Sequence, residues 1–333
     1  MDFAFIIPIA VSFVITIVLL PRLLDRLKKA GITGVDVNKP DKPIIPEMGG
    51  LACLIGFSLT LLIMLPIERV LDIDLGLMLL YTVLPVFVIA ALIGALDDLR
   101  GISRRKKAIC LMLASIPLII TRAGNPIIFT PFYNFDFTSI PWFYWFIVVP
   151  IGVTGAANAL NMQGGYNGLE SGEVVIISFF LLIISYITEP SGAAVIIFGT
   201  LFGAALALYA FNKYPAKVFV GDVGTLGMGA CIAAGVIIGD IEFYGFICIL
   251  PAFYELFATI YYGHIKKIER RDACMNPEIL KDGRLMPPNG AERYTLAYFL
   301  LGKRPMHEKK LVYTVLLLYA ICGTIALGLS LAG

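Results

Sequence analysis

Charged residues are scarce in this 333-residue chain: they make up 15% of it, against 59% for hydrophobic residues. A soluble domain of this length could not enclose so much apolar surface in one core, so the composition excludes an ordinary globular protein and predicts a membrane protein. The formal net charge of +2 is too small to favour a nucleic-acid partner. We therefore expect membrane lipids around the chain, and no nucleic acid.

Cysteine pairs with metal-ligand spacing and internal repeats are also missing. The six cysteines show no paired spacing such as C-x-x-C, which favours buried apolar roles over metal or disulfide roles. The chain has no internal repeat, and this counts against transporters built from duplicated halves. The N-terminal apolar run lacks a preceding basic stretch and a cleavage site, so we predict a retained span.

What the chain does have is a series of long apolar segments. A helix needs roughly 20 apolar residues to cross the hydrocarbon. This length predicts ten spans, near residues 3–22, 45–66, 76–96, 107–121, 141–160, 173–188, 191–211, 219–239, 243–262 and 311–331.

The basic residues predict the orientation of these spans. With ten spans, the connections on one side hold 24 Lys and Arg residues, and those on the other hold only Arg69 and Arg122. The positive-inside rule places the first set in the cytoplasm. We expect an all-α polytopic membrane protein with a single integral membrane domain over residues 1–333. Its larger last cytoplasmic loop would cover residues 263–310.

Two adjacent aspartates end the third predicted span. Asp97 and Asp98 close the string GALDD and are followed by the basic run that ends at Lys107. Paired carboxylates at a membrane boundary are unfavourable unless a cation lies near them, which predicts a metal or a basic neighbour. Neighbouring side chains on a helix point about 100° apart, so the two carboxylates should face different partners. The alternative is a solvated helix end with basic flanks.

A run of asparagines and glycines ends the fifth predicted span, in the string NALNMQGGYNGLE at residues 158–170. Asn158 and Asn161 are one helical turn apart and share a face, so both amides can reach one ligand. The glycines allow the backbone to approach a phosphate or a nucleotide closely. The alternative role for these asparagines is hydrogen bonding between helices.

A third string, VFVGD, stands at the entrance of the eighth predicted span. The Asp222 carboxylate there could bind Mg²⁺, which takes few protein oxygens together with water and phosphate. Phe219 could stack on a base. The alternatives are a charge that complements the helix dipole for Asp222 and a lipid-facing ring for Phe219.

Two polar loops complete the candidate site. Glu47 lies in the string PEMGG and could hydrogen-bond a sugar or a nucleobase, or simply start a helix. Arg270 and Arg271 are adjacent in the last loop and suit bidentate capture of phosphate. Attraction to anionic headgroups is the rival explanation for the basic residues of that loop, Lys266 and Lys267 above all.

The strings GVDVNK…PEMGG, ALDD, NALNMQGGYNGLE and VFVGD together resemble the polyprenyl-phosphate N-acetylhexosamine-1-phosphate transferases. They look most like the eukaryotic and archaeal UDP-GlcNAc:dolichyl-phosphate GlcNAc-1-phosphotransferases, which begin lipid-linked oligosaccharide synthesis for N-glycans. The resemblance implies transfer of a sugar-1-phosphate from a UDP-N-acetylhexosamine to a polyprenyl or dolichyl phosphate, with release of UMP. It also implies Mg²⁺, with Mn²⁺ as the alternative ion, a cytoplasmic catalytic groove and a homodimer.

The resemblance further implies a role for each matching residue. These are catalytic roles for Asp97, Asp98 and Lys107, metal binding by Asn161 and Asp222, and substrate binding by Glu47, Asn158, Asn167, Phe219, Arg270 and Arg271. The membrane would be the cell membrane in a prokaryote and that of the endoplasmic reticulum in a eukaryote.

Two other functions remain open at this point. One is a bacterial-type undecaprenyl-phosphate transferase for cell-envelope polymers. Its branch that uses UDP-MurNAc-pentapeptide carries a histidine cluster in the last loop, whereas this chain has only His264 and His307. The other is a lipid or solute transporter, with Glu255 as a coupling residue.

Overall fold

The computed structural model describes residues 2–71, 76–188, 192–268 and 276–332. Helices dominate this part of the chain. Their bounds are α1 Asp2–Lys29, α2 Gly50–Leu71, α3 Leu77–Arg100, α4 Arg104–Met112, α5 Ile116–Thr121, α6 Pro141–Phe143, α7 Val149–Met162, α8 Leu169–Thr188, α9 Ala193–Asn212, α10 Gly221–Ile238, α11 Glu242–Ile260, α12 Leu296–Lys303 and α13 Glu308–Ala332. A π-helical turn joins α6 to α7, and another extends α11 to Lys266.

Short antiparallel hairpins lie in the connections between the helices. The described residues form three of them, which pair β1 Thr33–Val35 with β2 Ile44–Pro46, β3 Ile127–Ile128 with β4 Phe135–Asp136, and β5 Glu278–Ile279 with β6 Leu285–Met286. The first hairpin immediately precedes α2.

Eight helices in the described ranges are long and apolar enough to cross a membrane. They coincide with eight of the ten predicted spans, which confirms the class of an all-α polytopic membrane protein. The predicted span 45–66 corresponds to α2, whose apolar part Gly50–Met64 is shorter. The total of ten spans stays a prediction.

The predicted span 107–121 is divided between α4 and α5, which a 3₁₀ turn at Leu113–Ser115 connects. Pro117 falls in the first turn of α5, where its missing N–H does no harm, whereas inside a continuous helix it would break a backbone hydrogen bond. The basic run Arg104–Lys107 makes the start of α4 polar. Hydropathy alone does not reveal this division.

Helix α10 lies at the centre of the bundle, where it contacts α2, α3, α7 and α9. Its residues beyond the first two are buried. A Cβ atom at Gly94 of α3 would lie 2.2 Å from the carbonyl oxygen of Asp222, so the two backbones touch at this crossing. Small residues permit such close approach between membrane helices. The crossing brings the end of α3 against the start of α10.

The candidate site residues stand at helix ends that meet at one end of the bundle. The end of α3 contacts the start of α10, and the start of α4 contacts the end of α7. The loop after α7 contacts the first residue of α13. The segment after β2 pairs with the residues before α10, since Phe219 N–H donates to the carbonyl oxygen of Pro46 over 2.8 Å.

Candidate active site

A network of charged and amide groups joins four helices. Lys107 Nζ lies 2.6 Å from Asp97 Oδ2 and 2.7 Å from Asp222 Oδ2. Asn161 Nδ2 donates to Asp222 Oδ1 over 2.7 Å, and Asn161 Oδ1 lies 3.4 Å from the same lysine nitrogen. We call Asp97, Lys107, Asn161 and Asp222 the charged cluster. The structure thus brings together four residues that the sequence predicted to share a site.

Asp98 has a different position from its neighbour. Its Oδ1 accepts the Asp222 N–H over 2.8 Å, and its Oδ2 accepts the Val223 N–H over 3.0 Å. These N–H groups belong to the first turn of α10, where a helix offers them no partner of its own. Asp98 therefore caps α10 from a neighbouring helix and holds Asp222 in place.

Gly221 makes this cap possible. Its φ is 73°, in the left-handed region that favours glycine. A Cβ atom there would lie 2.9 Å from Asp98 Oδ2. A larger residue would therefore strain the backbone and also push the Asp98 carboxylate away from α10.

One cavity of about 1110 Å³ contains most of the predicted site. The predicted residues that line it are Glu47, Lys107, Asn158, Asn161, Asn167, Phe219 and Asp222. Asp97 reaches the cavity through Lys107, and Asp98 lies behind Asp222. The cavity therefore holds acid, base and amide groups together with an aromatic ring.

The same cavity extends onto an apolar side of the bundle. On α7 the lining runs from Asn161 to Ile151, which is about 15 Å along the helix axis. Three lining side chains, Met112, Ile151 and Ile260, are 45%, 60% and 46% exposed on the outer surface. The cavity thus connects the charged cluster with lateral apolar surface between α4 and α11.

Glu47 and Phe219 form one wall of the cavity. A Cβ atom at Gly34 would lie 3.1 Å from the Phe219 ring and 3.4 Å from Glu47 Oε2, which places all three side by side. Burial, and then the negative charge of Asp222, raise the pKa of Glu47 above its ordinary value. Glu47 consequently gives up its proton less readily than a surface glutamate.

The remaining predicted residues take three different positions. Asn158 Nδ2 donates to the Thr154 carbonyl oxygen of its own helix over 2.8 Å. Asn167 is buried and fixed by neighbours on other segments. Arg270 and Arg271 lie outside the described residues. Gly263 and Asn276, on either side of that segment, line the cavity.

Sequence reasoning missed several residues that shape the site. Thr225 Oγ1 accepts from Asn161 Nδ2 over 2.9 Å, and Arg105 lines the cavity. Lys39 and Glu308 form a buried ion pair beside Asn167. Lys39 stands in the string GVDVNKP and could have been singled out there. Glu308 is an isolated acid before the last span, which in a sequence indicates only a helix start.

The side-chain oxygens of the charged cluster are suitable ligands for a hard cation such as Mg²⁺. Among the residues that the structure describes, no three His, Cys, Asp or Glu side chains are arranged as a metal cage. Oxygens of Asp97, Asp222 and Asn161 nevertheless converge within 3.4 Å of one point, the Lys107 nitrogen. Mg²⁺ prefers such oxygens when water and phosphate complete its coordination.

Comparison with known proteins identifies the family. The profile described as glycosyl transferase family 4 matches residues 79–240, from α3 to the end of α10. A putative UDP-N-acetylglucosamine–dolichyl-phosphate N-acetylglucosaminephosphotransferase from Saccharolobus solfataricus is 36% identical over 239 residues, which are 69% of this chain and 70% of that protein. The chain belongs to glycosyl transferase family 4. The family resemblance predicted from the four sequence strings is thereby confirmed.

Two further relatives of this family 4 glycosyl transferase show the breadth of the family. A putative glycosyltransferase from Methanocaldococcus jannaschii is 30% identical, over 96% of this chain and 95% of that protein. A phospho-N-acetylmuramoyl-pentapeptide-transferase from Desulfotalea psychrophila is 30% identical over 252 residues, which are 67% of each chain. The matched region of the family profile includes the whole charged cluster and leaves out Glu47 and Glu308.

Proposed function

We propose that this protein transfers N-acetylglucosamine-1-phosphate from UDP-N-acetylglucosamine to a polyprenyl or dolichyl phosphate and releases UMP. The observation that carries the proposal is the single cavity that joins the charged cluster to lateral apolar surface. A water-soluble donor and a lipid-borne acceptor can meet only in a site of this kind. The archaeal relative with the corresponding name supports the choice of substrates.

The reaction is an in-line substitution at phosphorus. An oxygen of the acceptor phosphate forms a bond to the β-phosphorus of the donor, which carries the sugar. The bond from this phosphorus to the bridging oxygen breaks, and UMP leaves with the electron pair. A phosphate monoester has a second pKa of about 6, so the acceptor is already mostly dianionic near neutral pH. The protein therefore needs to position the reactants more than to remove a proton.

The charged cluster supplies the positioning. Lys107 is held between Asp97 and Asp222, at a place where its ammonium group can neutralise charge on the donor diphosphate. Arg105 lines the same cavity and adds positive charge. Asp98 uses both of its oxygens to cap α10. This arrangement favours direct transfer over a two-step route in which Asp98 is a nucleophile.

Asp222 and Asn161, with Asp97 beside them, would hold Mg²⁺ or Mn²⁺. The ion would supply charge neutralisation at the donor phosphates. Phe219 and Glu47 form the wall on which a uracil ring or a sugar could rest. The uneven distribution of Lys and Arg along the chain supports a cytoplasmic position for this end of the bundle. The product would be the first lipid-linked intermediate of N-glycan assembly.

A transporter function has less support. Glu255, the residue that could couple transport, accepts the Leu296 N–H on its Oε2 over 3.0 Å. This bond caps the start of α12, so the carboxylate has a structural use. The burial of Glu255 on α11 therefore needs no transport role to explain it.

The test is a transfer assay with the purified protein in lipid nanodiscs. Radiolabelled UDP-N-acetylglucosamine and a polyprenyl phosphate should give label in the organic phase and an equal amount of UMP. Asp222→Ala should abolish this transfer. Asp282→Asn should keep it, because Asp282 forms an exposed ion pair with Arg284 and does not line the cavity. Transfer from UDP-MurNAc-pentapeptide in place of UDP-N-acetylglucosamine would overturn the proposal in favour of the cell-envelope reaction.

A further inference from the structure

A second buried group of charges lies next to the cavity and outside the charged cluster. Lys39 Nζ lies 3.0 Å from Asp36 Oδ2 and also pairs with the Glu308 carboxylate. The side chains of Asp36 and Glu308 are only 4% and 2% exposed, and that of Lys39 is 11% exposed. The Tyr214 ring covers the lysine nitrogen, 4.5 Å from the ring centroid. Charges buried to this degree are unfavourable unless they are paired.

This group holds Asn167 on both its backbone and its side chain. Glu308 Oε1 accepts the Asn167 N–H over 2.7 Å, and Asn167 Oδ1 accepts from Lys39 Nζ over 3.3 Å. The same Oδ1 accepts the Ala216 N–H over 2.8 Å. Because two donors point at this atom, it must be the oxygen of the Asn167 amide and not its nitrogen. The other end of the amide is therefore the Nδ2 group, which can donate a hydrogen bond. Asn167 lines the cavity.

The loop around Asn167 is held at a further point. Asn38 Nδ2 donates to the Gly165 carbonyl oxygen over 2.7 Å. The turn that carries Asn38 and Lys39 therefore contacts the loop twice, and α13 contacts it through Glu308. Lys39 and Glu308 are 269 residues apart in the chain, so the pair joins the first polar loop to the last helix.

We propose that Lys39 and Glu308 are positioning residues that hold Asn167 against the nucleotide of the donor and so determine the affinity for UDP-N-acetylglucosamine. This inference rests on the function proposed above. It assigns a task to α13, which lies outside the matched region 79–240. A pyrimidine base presents carbonyl acceptors, and an amide donor binds such an acceptor more tightly when its own position is already fixed, because less freedom is lost on binding.

The charge balance decides which substitution tests this role. Asp36, Lys39 and Glu308 together carry one excess negative charge. Glu308→Gln leaves Lys39 paired with Asp36 and keeps an amide oxygen for the Asn167 N–H. Lys39→Gln leaves two buried carboxylates without their cation, which should impair folding. Burial acts to lower the pKa of Lys39, but Glu308 and Asp36 outweigh it and raise that pKa, so Lys39 stays charged near neutral pH.

Glu308→Gln is therefore the variant to measure in the transfer assay, beside Asp282→Asn as the matched acid-to-amide control. We expect KM for UDP-N-acetylglucosamine to rise about tenfold and kcat to stay within about twofold, because a neutral acceptor holds the Asn167 N–H more weakly than a carboxylate. The dissociation constant of UMP should rise by the same factor in calorimetric titrations. The control should match the unsubstituted protein in both measurements.

Other outcomes separate the two proposals. If Glu308→Gln lowers the thermal midpoint while KM and UMP affinity stay unchanged, the pair is only a structural contact and the inference is wrong. If the unsubstituted protein transfers no label from UDP-N-acetylglucosamine, the proposed function is wrong. In that case the UMP titration by itself tests the role of Lys39 and Glu308. The inference would be refuted if Glu308→Gln bound UMP as tightly as the unsubstituted protein, or if neither protein bound UMP.

Discussion

Replacing Asp98 by asparagine tests whether this residue acts by capping α10. Each of its carboxylate oxygens accepts one backbone N–H, from Asp222 and Val223. An asparagine retains one oxygen, and its NH₂ group would meet the other N–H. A hydrogen bond to a charged group contributes about 1.5–3 kcal/mol. Losing one such bond displaces Asp222, and we expect the whole of this free energy to be added to the barrier for transfer. Turnover should then fall by about tenfold to a hundredfold, since each 1.36 kcal/mol is about tenfold in rate.

The assay for Asp98→Asn combines initial rates of transfer with thermal unfolding, both measured in the same lipid nanodiscs. A capping role requires both quantities to fall together, because the start of α10 is part of the fold and of the site. Asp98→Ala should lower the transfer rate and the thermal midpoint at least as much as Asp98→Asn does. A loss of more than about a thousandfold in rate with an unchanged thermal midpoint would refute the reasoning. It would show that Asp98 acts on the reacting atoms.

Three further predictions concern the metal, Glu47 and Glu255. Chelation of divalent ions should stop transfer, and Mg²⁺ should restore it; full activity after exhaustive chelation would contradict the proposed ligand set. Glu47→Gln should raise the thermal midpoint at pH 7.5, because burial and then Asp222 raise the pKa of Glu47, so its ionisation opposes folding as pH rises above about 4.5. The gain should vanish below pH 4, and a lowered midpoint at pH 7.5 would be the contrary result. Glu255→Gln should speed amide hydrogen exchange at the start of α12, near Leu296, since the cap is weakened. Unchanged exchange there would mean that the cap contributes little.

Most of the fold was predictable from hydropathy. A membrane span must be apolar over its whole length, so each long apolar segment indicates a helix whatever lies beside it. The exceptions have local causes. Pro117 and the basic run at Arg104–Lys107 divide one predicted span into α4 and α5. Helix α8 begins at Leu169, earlier than predicted, because Glu173 is buried inside the bundle and Glu170 lines the cavity, so neither acid ends the helix.

The candidate site was predictable only as a set of residues. The strings around Asp97, Asn161 and Asp222 stand at helix ends on one predicted side of the membrane, which was enough to expect a shared pocket. Their roles within it depend on contacts between helices. Asp97 and Asp98 are adjacent in the chain. Only the packing of α3 against α4 and α10 shows that Asp97 pairs with Lys107 while Asp98 caps α10.

The sequence by itself determined that this protein lies in a membrane, the class of its fold and its family, because composition, the length of apolar segments and short motifs can all be read along the chain. Only the tertiary structure decided which groups face one another. Lys39 and Glu308 meet across 269 residues because the ends of several helices come together, and the angle and rotation of each helix are set by packing. No local pattern in one chain encodes that packing, so the partners of buried charges are decided by the assembled bundle.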